Sequence, residues 1–188
     1  YLHPYDENHL IGIGKEAVAA EEGDFAWYQG IKIGLFDVSD VNHPVEIGDP
    51  YVIGDRGTDS PVLWDHRAFL FDKSRNLMVI PVLVAKIDES QYPKGVPSDA
   101  YGQAVWQGAY VFHVSLDAGI GLEGRITHIE NIAEPEKEWY YFYSPFTVTR
   151  SLYIGDVLYT ISGAKITWSD RSEMAPASED QQAGRPCA

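Results

Sequence analysis

The 188-residue chain has one cysteine, Cys187, second from its end, so no internal disulfide can form and a disulfide-stapled secreted scaffold is excluded. No histidine pair has the short spacing of a familiar zinc site, and no serine lies in a G-x-S-x-G setting. Long apolar runs are missing too: nothing approaches the roughly 18 residues that a membrane-crossing helix needs. No basic-then-apolar leader opens the chain. Basic residues are few, 14 against 28 acidic ones, and the formal charge of −14 repels nucleic-acid backbones and anionic membranes over most of the surface. Because it begins at Tyr1 rather than Met, the chain reads as a processed or excised piece, from which an export signal would already be gone.

The residues that are abundant favour strands and tight turns: twelve Tyr, five Trp and 17 Gly. Alternating segments predict strands over 9–14 and 31–38, with an Ala- and Glu-containing helical turn between them, limited by Gly23 and Gly30. Val45 to Gly54, interrupted by Pro50, reads as an outer edge strand. Residues 54–66, dense in Gly, Asp and Pro, read as a long surface connection. Residues 68–71 and 77–87 form the next strand pair across a polar turn. The second of these is apolar on both sides, which predicts burial on both faces, with a bulge or a local end to pairing at Pro81. Further strands are expected at 109–114, 124–130, 151–162 and from 164.

One phrase recurs: apolar strand end, polar turn, apolar strand. It occupies residues 1–13, 68–80 and 151–161. After the first two, a long loop leads to a strand ending in Val-Ser (Val38-Ser39 and Val114-Ser115), with Phe36 and Phe112 two positions before each Val. This pattern makes units of four antiparallel strands, and the fold class it predicts is all-β, a partial β-propeller of four-stranded blades. Residues 1–169 carry about two and a half units and 170–188 a flexible polar tail; a ring generally needs at least about four blades. The remaining units would come from more of the parent chain or from another subunit. Spacing alone leaves a β-sandwich, a barrel or a mixed fold as alternatives.

The phrases HPYDENHLIGIGKE, IKIGLFDVSDVNHPVEI, YVIGDRGTDSPVLWDHRAFLFDKSRNLMVIPV, YVFHVSLDAGIGLEGRITH and RSLYIGDVLYTIS follow in order. The chain resembles, from residue 1 to about 169, the C-terminal β-propeller domain of secreted or cell-envelope proteins of archaea and bacteria. That resemblance implies further blades before this region and an extracellular or envelope location.

Several groups are candidates for chemistry. Asp55, Thr58, Asp59, Ser60, Asp65 and His66 share one Gly-bearing loop whose oxygens would suit calcium, with Asp55, Asp59 and Asp65 as the carboxylates, or would instead cap turns. Asp65 beside His66 is the one pairing that resembles an oriented general base. Asp37, Ser39 and Asp40 read as a turn organiser. Trp27, Tyr28, Trp106, Trp139, Tyr140, Tyr141 and Tyr143 lie in or beside loops, where aromatics either dock a protein or glycan or pin loops down. The leading expectation is a non-enzymatic extracellular binding or scaffold module. The enzymatic alternative is a metal-assisted hydrolase or lyase acting on an extracellular polymer, with Asp65 and His66 as its catalytic candidates.

Overall fold

A computed structural model describes residues 1–20, 23–129 and 143–170. Among these, β1 (Leu2–Pro4), β2 (His9–Ala19), β3 (Ala26–Asp37) and β4 (Val45–Ile53) form one antiparallel sheet in that order. The second sheet repeats the order with β5 (Leu70–Asp72), β6 (Leu77–Lys86), β7 (Gln103–Ser115) and β8 (Gly119–Ile126). A third, of β9 (Val148–Ile154), β10 (Val157–Ser162) and β11 (Ile166–Asp170), repeats its first three strands. Each copy of the recurring phrase is thus the first hairpin of its own sheet. The protein is all-β, and its four-stranded antiparallel sheets resemble propeller blades; the described residues do not close a ring. The expected tail starts at Asp170, which still pairs with Val157 in the third sheet. Residues 171–188 lie outside the described residues.

Strand β6 explains how the sheets are layered. Leu77, Met78, Val79, Ile80 and Val82 are fully buried, and each such side chain contributes about 1.5–3 kcal/mol. Met78, Ile80, Val82 and Val84 join a core with Ile11, Ile13, Ile31, Ile33 and Leu35 of the first sheet. Leu77 and Val79 point the other way, into a core with Val148 and Leu158 of the third. A strand covered on both faces has no need of a polar side, so its continuous apolar run follows directly.

Several expectations change. The segment around Ala17 is not helical: β2 runs to Ala19 and β3 begins at Ala26, with Val18 opposite Trp27. The last strand of the second sheet occupies Gly119–Ile126, earlier than 124–130. Residues 54–66 are more than a surface connection, because Thr58, Ser60 and Val62 are completely buried. Past Val79, where β5 stops pairing, this segment takes over the free edge of β6. Asp59 and Leu83 exchange backbone hydrogen bonds of 2.9 and 2.8 Å. The Thr58 hydroxyl accepts from Ala85 N–H at 2.9 Å and donates to Ala85 C=O at 3.2 Å. Ser60 donates to the Pro81 carbonyl at 2.6 Å.

Those partners account for proline in a central strand. A residue's N–H and C=O leave a strand on the same side, and the Pro81 carbonyl faces Ser60, so the missing N–H falls on the seam and not on the ladder to β7. Pairing continues through Pro81 opposite Ala109, and the register shift lies at Val84/Ala85. The seam is close enough to require glycine twice. A Cβ on Gly54 (φ 62°) would lie 2.1 Å from Thr58 Oγ1, and one on Gly30 would lie 2.3 Å from the carbonyl oxygens of Ile53 and Gly54.

The second and third sheets are joined by a different polar seam. The buried Gln107 amide donates to Val148 C=O at 2.7 Å and accepts from Val148 N–H at 2.9 Å. Just after β8, buried His128 places its ring nitrogens 3.0 Å from Ser162 Oγ and 2.8 and 2.9 Å from Thr160 and Thr167 Oγ1. Burial, followed by the nearby Lys165 charge, lowers its pKa.

At one end of the stack the three hairpin turns line up. Asp6 accepts from Lys73 Nζ at 2.9 Å and Asn8 N–H at 3.0 Å, with His9 Nδ1 at 2.6 Å, and the Lys73 contact leads in holding its carboxyl far below the ordinary range. Asp72 accepts from residues at the same offsets, Ser74 Oγ at 2.6 Å and Arg75 at 2.7 Å. Arg75 then reaches the third turn at Gly155 C=O, 3.2 Å away. The repeat in the sequence is therefore a repeat of turn chemistry.

Candidate functional site

Several oxygen atoms of the acidic loop are engaged within the protein. Asp55 Oδ2 accepts from Ile87 N–H at 2.8 Å, and Asp59 pairs with Lys15 at 3.0 Å. The Thr58 and Ser60 hydroxyls serve β6, as described. Lys15 also donates to the Thr58 carbonyl, tying β2 to this segment. Asp65 caps the short 3-10 turn at His66–Ala68 by accepting from Arg67 N–H at 3.0 Å. It is gripped by the Arg67 guanidinium at 2.8 and 3.0 Å. That guanidinium first, then the backbone bond, and at longer range Arg150, hold the Asp65 carboxyl down to about 2. Its hydrogen-bond partner is Arg67 and not the exposed His66. Among the described residues no group of three or more His, Cys, Asp or Glu side chains is placed to hold a metal ion. Asp37 and Asp40 organise their turn as expected, accepting from Ser39 N–H at 2.8 Å and Asn42 N–H at 3.0 Å.

The aromatic candidates fall at separate places. Trp27, at the outer end of β3, lies under the Arg56 guanidinium, 4.4 Å from its centroid, and meets Phe25 edge-on at 5.1 Å. Tyr28, one residue on, is 67% exposed, and Tyr143 is 81% exposed. Trp106 packs against the core shared by the first and second sheets. Its ring contacts Tyr110 edge-on at 5.3 Å and carries the Arg125 guanidinium 4.9 Å from its centroid. Trp139, Tyr140 and Tyr141 lie outside the described residues. The tyrosines and cations around Trp106 escaped sequence reasoning because Tyr51, Lys86, Tyr110 and Arg125 come from four different strands of two sheets.

A surface feature came from the repeat itself. In the third sheet, Tyr159 is paired with Leu152 and Trp168, and Ile161 with Arg150 and Ile166. Opposite residues share a face, so Leu152, Ile154, Val157, Tyr159, Ile161, Ile166 and Trp168 lie on the side away from the second sheet, with Arg150 and Asp170 at its margins. Ile154, Ile166 and Trp168 are 64%, 68% and 65% exposed. The corresponding outer face of the first sheet is mixed, with Gly12, Gly14 and Gly34 beside the Lys32–Glu46 ion pair at 3.3 Å.

Comparison with known proteins agrees with this architecture. Over 81 residues the chain is 37% identical to an uncharacterized protein of Methanocaldococcus jannaschii and 35% identical to one of Archaeoglobus fulgidus. Each alignment covers 43% of this chain and 11% of the relative, so the matched stretch spans about a tenth of either archaeal protein. No solved structure matches the chain. Among the described residues no helix is long and apolar enough to cross a membrane. The family model described as "Beta propeller domain" matches residues 1–174, nearly the whole chain, and the protein therefore belongs to the beta propeller domain family.

Proposed function

We propose that the chain is a non-enzymatic scaffold and recognition module whose third sheet receives a further antiparallel sheet of the same kind. The observation that carries this reading is the open apolar face of Leu152, Ile154, Tyr159, Ile161, Ile166 and Trp168. Side chains of this type on the second sheet are covered from both sides by neighbouring sheets. Exposed contiguous apolar patches mark interaction surfaces, and the archaeal relatives have ample additional chain to supply such a sheet. In this reading the blade-forming part runs from residue 1 through Asp170, one residue beyond the expected boundary, and 171–188 are a tail. Tyr28, Tyr143 and the Trp27 edge then stand on the rim as contact residues for a protein or glycan. An extracellular or envelope location goes with the reading on the strength of the family resemblance; surface proteolysis of intact cells, releasing peptides of this chain, is its test.

The interface is tested by the particle mass of the 188-residue chain by light scattering across a dilution series, beside the double variant Ile154→Glu, Trp168→Glu. A second copy substitutes for the further sheet, so the unaltered chain associates as concentration rises while the variant stays monomeric with unchanged circular dichroism. A monomer at every concentration, with the Trp168 indole N–H resonance unchanged across the dilution series, would contradict the proposal.

A further inference from the structure

A cavity of about 220 Å³ opens between the first and second sheets, walled by Tyr51 of β4, Lys86 of β6, Trp106 and Tyr110 of β7, and Arg125 of β8. It involves none of the third-sheet residues and stands independently of the interface proposed above. Its lining carries two cations and no carboxylate. Lys15, Lys32, Arg67, Lys73, Arg75 and Arg150 each have a carboxylate within ion-pair distance. Among the described residues Arg125 and Lys86 have none, as Arg56 and Lys94 have none, although the chain carries a net −14, and Arg125 and Lys86 share one cavity. The guanidinium of Arg125 is fixed by its position over Trp106 and, at 5.6 Å, over Tyr110, whose hydroxyl accepts one of its N–H groups at 3.4 Å. Among the described residues the rest of its planar donor fork is uncommitted, and that fork matches a carboxylate with two parallel hydrogen bonds.

The Tyr51 side chain also lines this space. The Tyr51 hydroxyl has no hydrogen-bond partner among the described residues, and its ring is braced edge-on against Phe112 at 5.0 Å. Burial pushes its pKa up to about 12 and raises that of Tyr110 as well, so both phenols remain neutral hydroxyls that donate and accept. The volume sets the size of an occupant. Pockets that hold drug-sized molecules run to about 300–1,000 Å³, so this one has room for a single ring.

We propose that this cavity binds one anionic sugar unit, a uronate, with Arg125 and Lys86 on its carboxylate, Tyr51 and Tyr110 on its ring hydroxyls, and Trp106 as an apolar wall. The cations require an anion, the fork favours a planar one, and the phenols suit a polyol ring more than an aliphatic chain.

The test is titration of the 188-residue chain with methyl β-glucuronide, followed through the Trp106 indole N–H resonance. Methyl β-glucoside supplies the ring without the charge, acetate the charge without the ring, and N-acetylglycine a peptide terminus. The glucuronide binds, and each comparator binds at least about tenfold more weakly, the factor expected from losing a charge-assisted hydrogen bond. Arg125→Gln weakens glucuronide binding by about tenfold or more, and added salt weakens it further. Lys86→Gln, at an exposed position where folding is not at stake, weakens it a few-fold. Equal binding of the glucoside, tighter binding of N-acetylglycine, or no perturbation by millimolar glucuronide each overturns the assignment.

Discussion

Thr58 shows how a single hydroxyl fastens the segment after β4 to the edge of β6: fully buried, it makes both its bonds to the backbone of Ala85. Thr58→Val keeps the shape and leaves the Ala85 N–H without a partner, so unfolding in urea should show a loss of about 1–3 kcal/mol with an unchanged m value. Thr58→Ser, which retains the hydroxyl, should lose clearly less. His128 gives a different signature. Its pKa is lowered in the fold, so below the ordinary histidine value of about 6.5 the unfolded chain takes up a proton that the folded chain refuses. Stability from this group is complete above that pH, falls as the pH drops below it, and levels off beneath the folded pKa. His3, lowered by burial, acts in the same direction. The carboxylates of Asp37, Asp40, Asp65, Asp72 and Asp88, all lowered by hydrogen bonds, begin to cost stability only below about pH 4. Melting temperature against pH should therefore fall in two steps. His128→Gln should reduce the upper one; a profile with the same upper step in that variant contradicts the assignment.

At the scale of elements, Gln107 and the start of β9 form the joint between the second and third sheets. Gln107→Ala removes both hydrogen bonds to Val148 and buries an unpaired N–H, so it should lower stability by about 1–3 kcal/mol and raise hydrogen exchange at Val148 before the first sheet is affected. Unaltered exchange at Val148 would rule out this joint. None of this was legible in the sequence, where Gln107 is one polar residue between Trp106 and Gly108. The hairpins were legible, because their apolar alternation and turn residues are local. The phrases at 1–13, 68–80 and 151–161 each form the first hairpin of a sheet, and Asp6 and Asp72 organise their turns at identical offsets. Local signals misled where tertiary pairing prevailed. Ala17 to Ala19 favour helix in isolation but are carried along by the ladder to Trp27 and Ala26. The Gly- and Asp-rich segment at 54–60 looks like a solvated loop, yet it completes the edge of β6. The contributors to the Arg125 cavity, spread over four strands, leave no trace in spacing.

For the whole molecule, the second sheet is the organising layer, covered by the first on one side and the third on the other. The stack is held by apolar cores between sheets and by a polar seam beside each, and the third sheet leaves Ile154, Ile166 and Trp168 exposed on its far side. A stack of this kind differs from a single sandwich in one respect that can be read directly. Side-chain nuclear Overhauser contacts from the second sheet should run in two directions: from Ile80 and Phe112 to Ile13 and Ile33, and from Val79 and Val111 to Val148 and Leu158. Both sets in one sample are what successive blade-like sheets require. Contacts confined to one side, or direct contacts between Ile33 and Leu158, would contradict the layered arrangement.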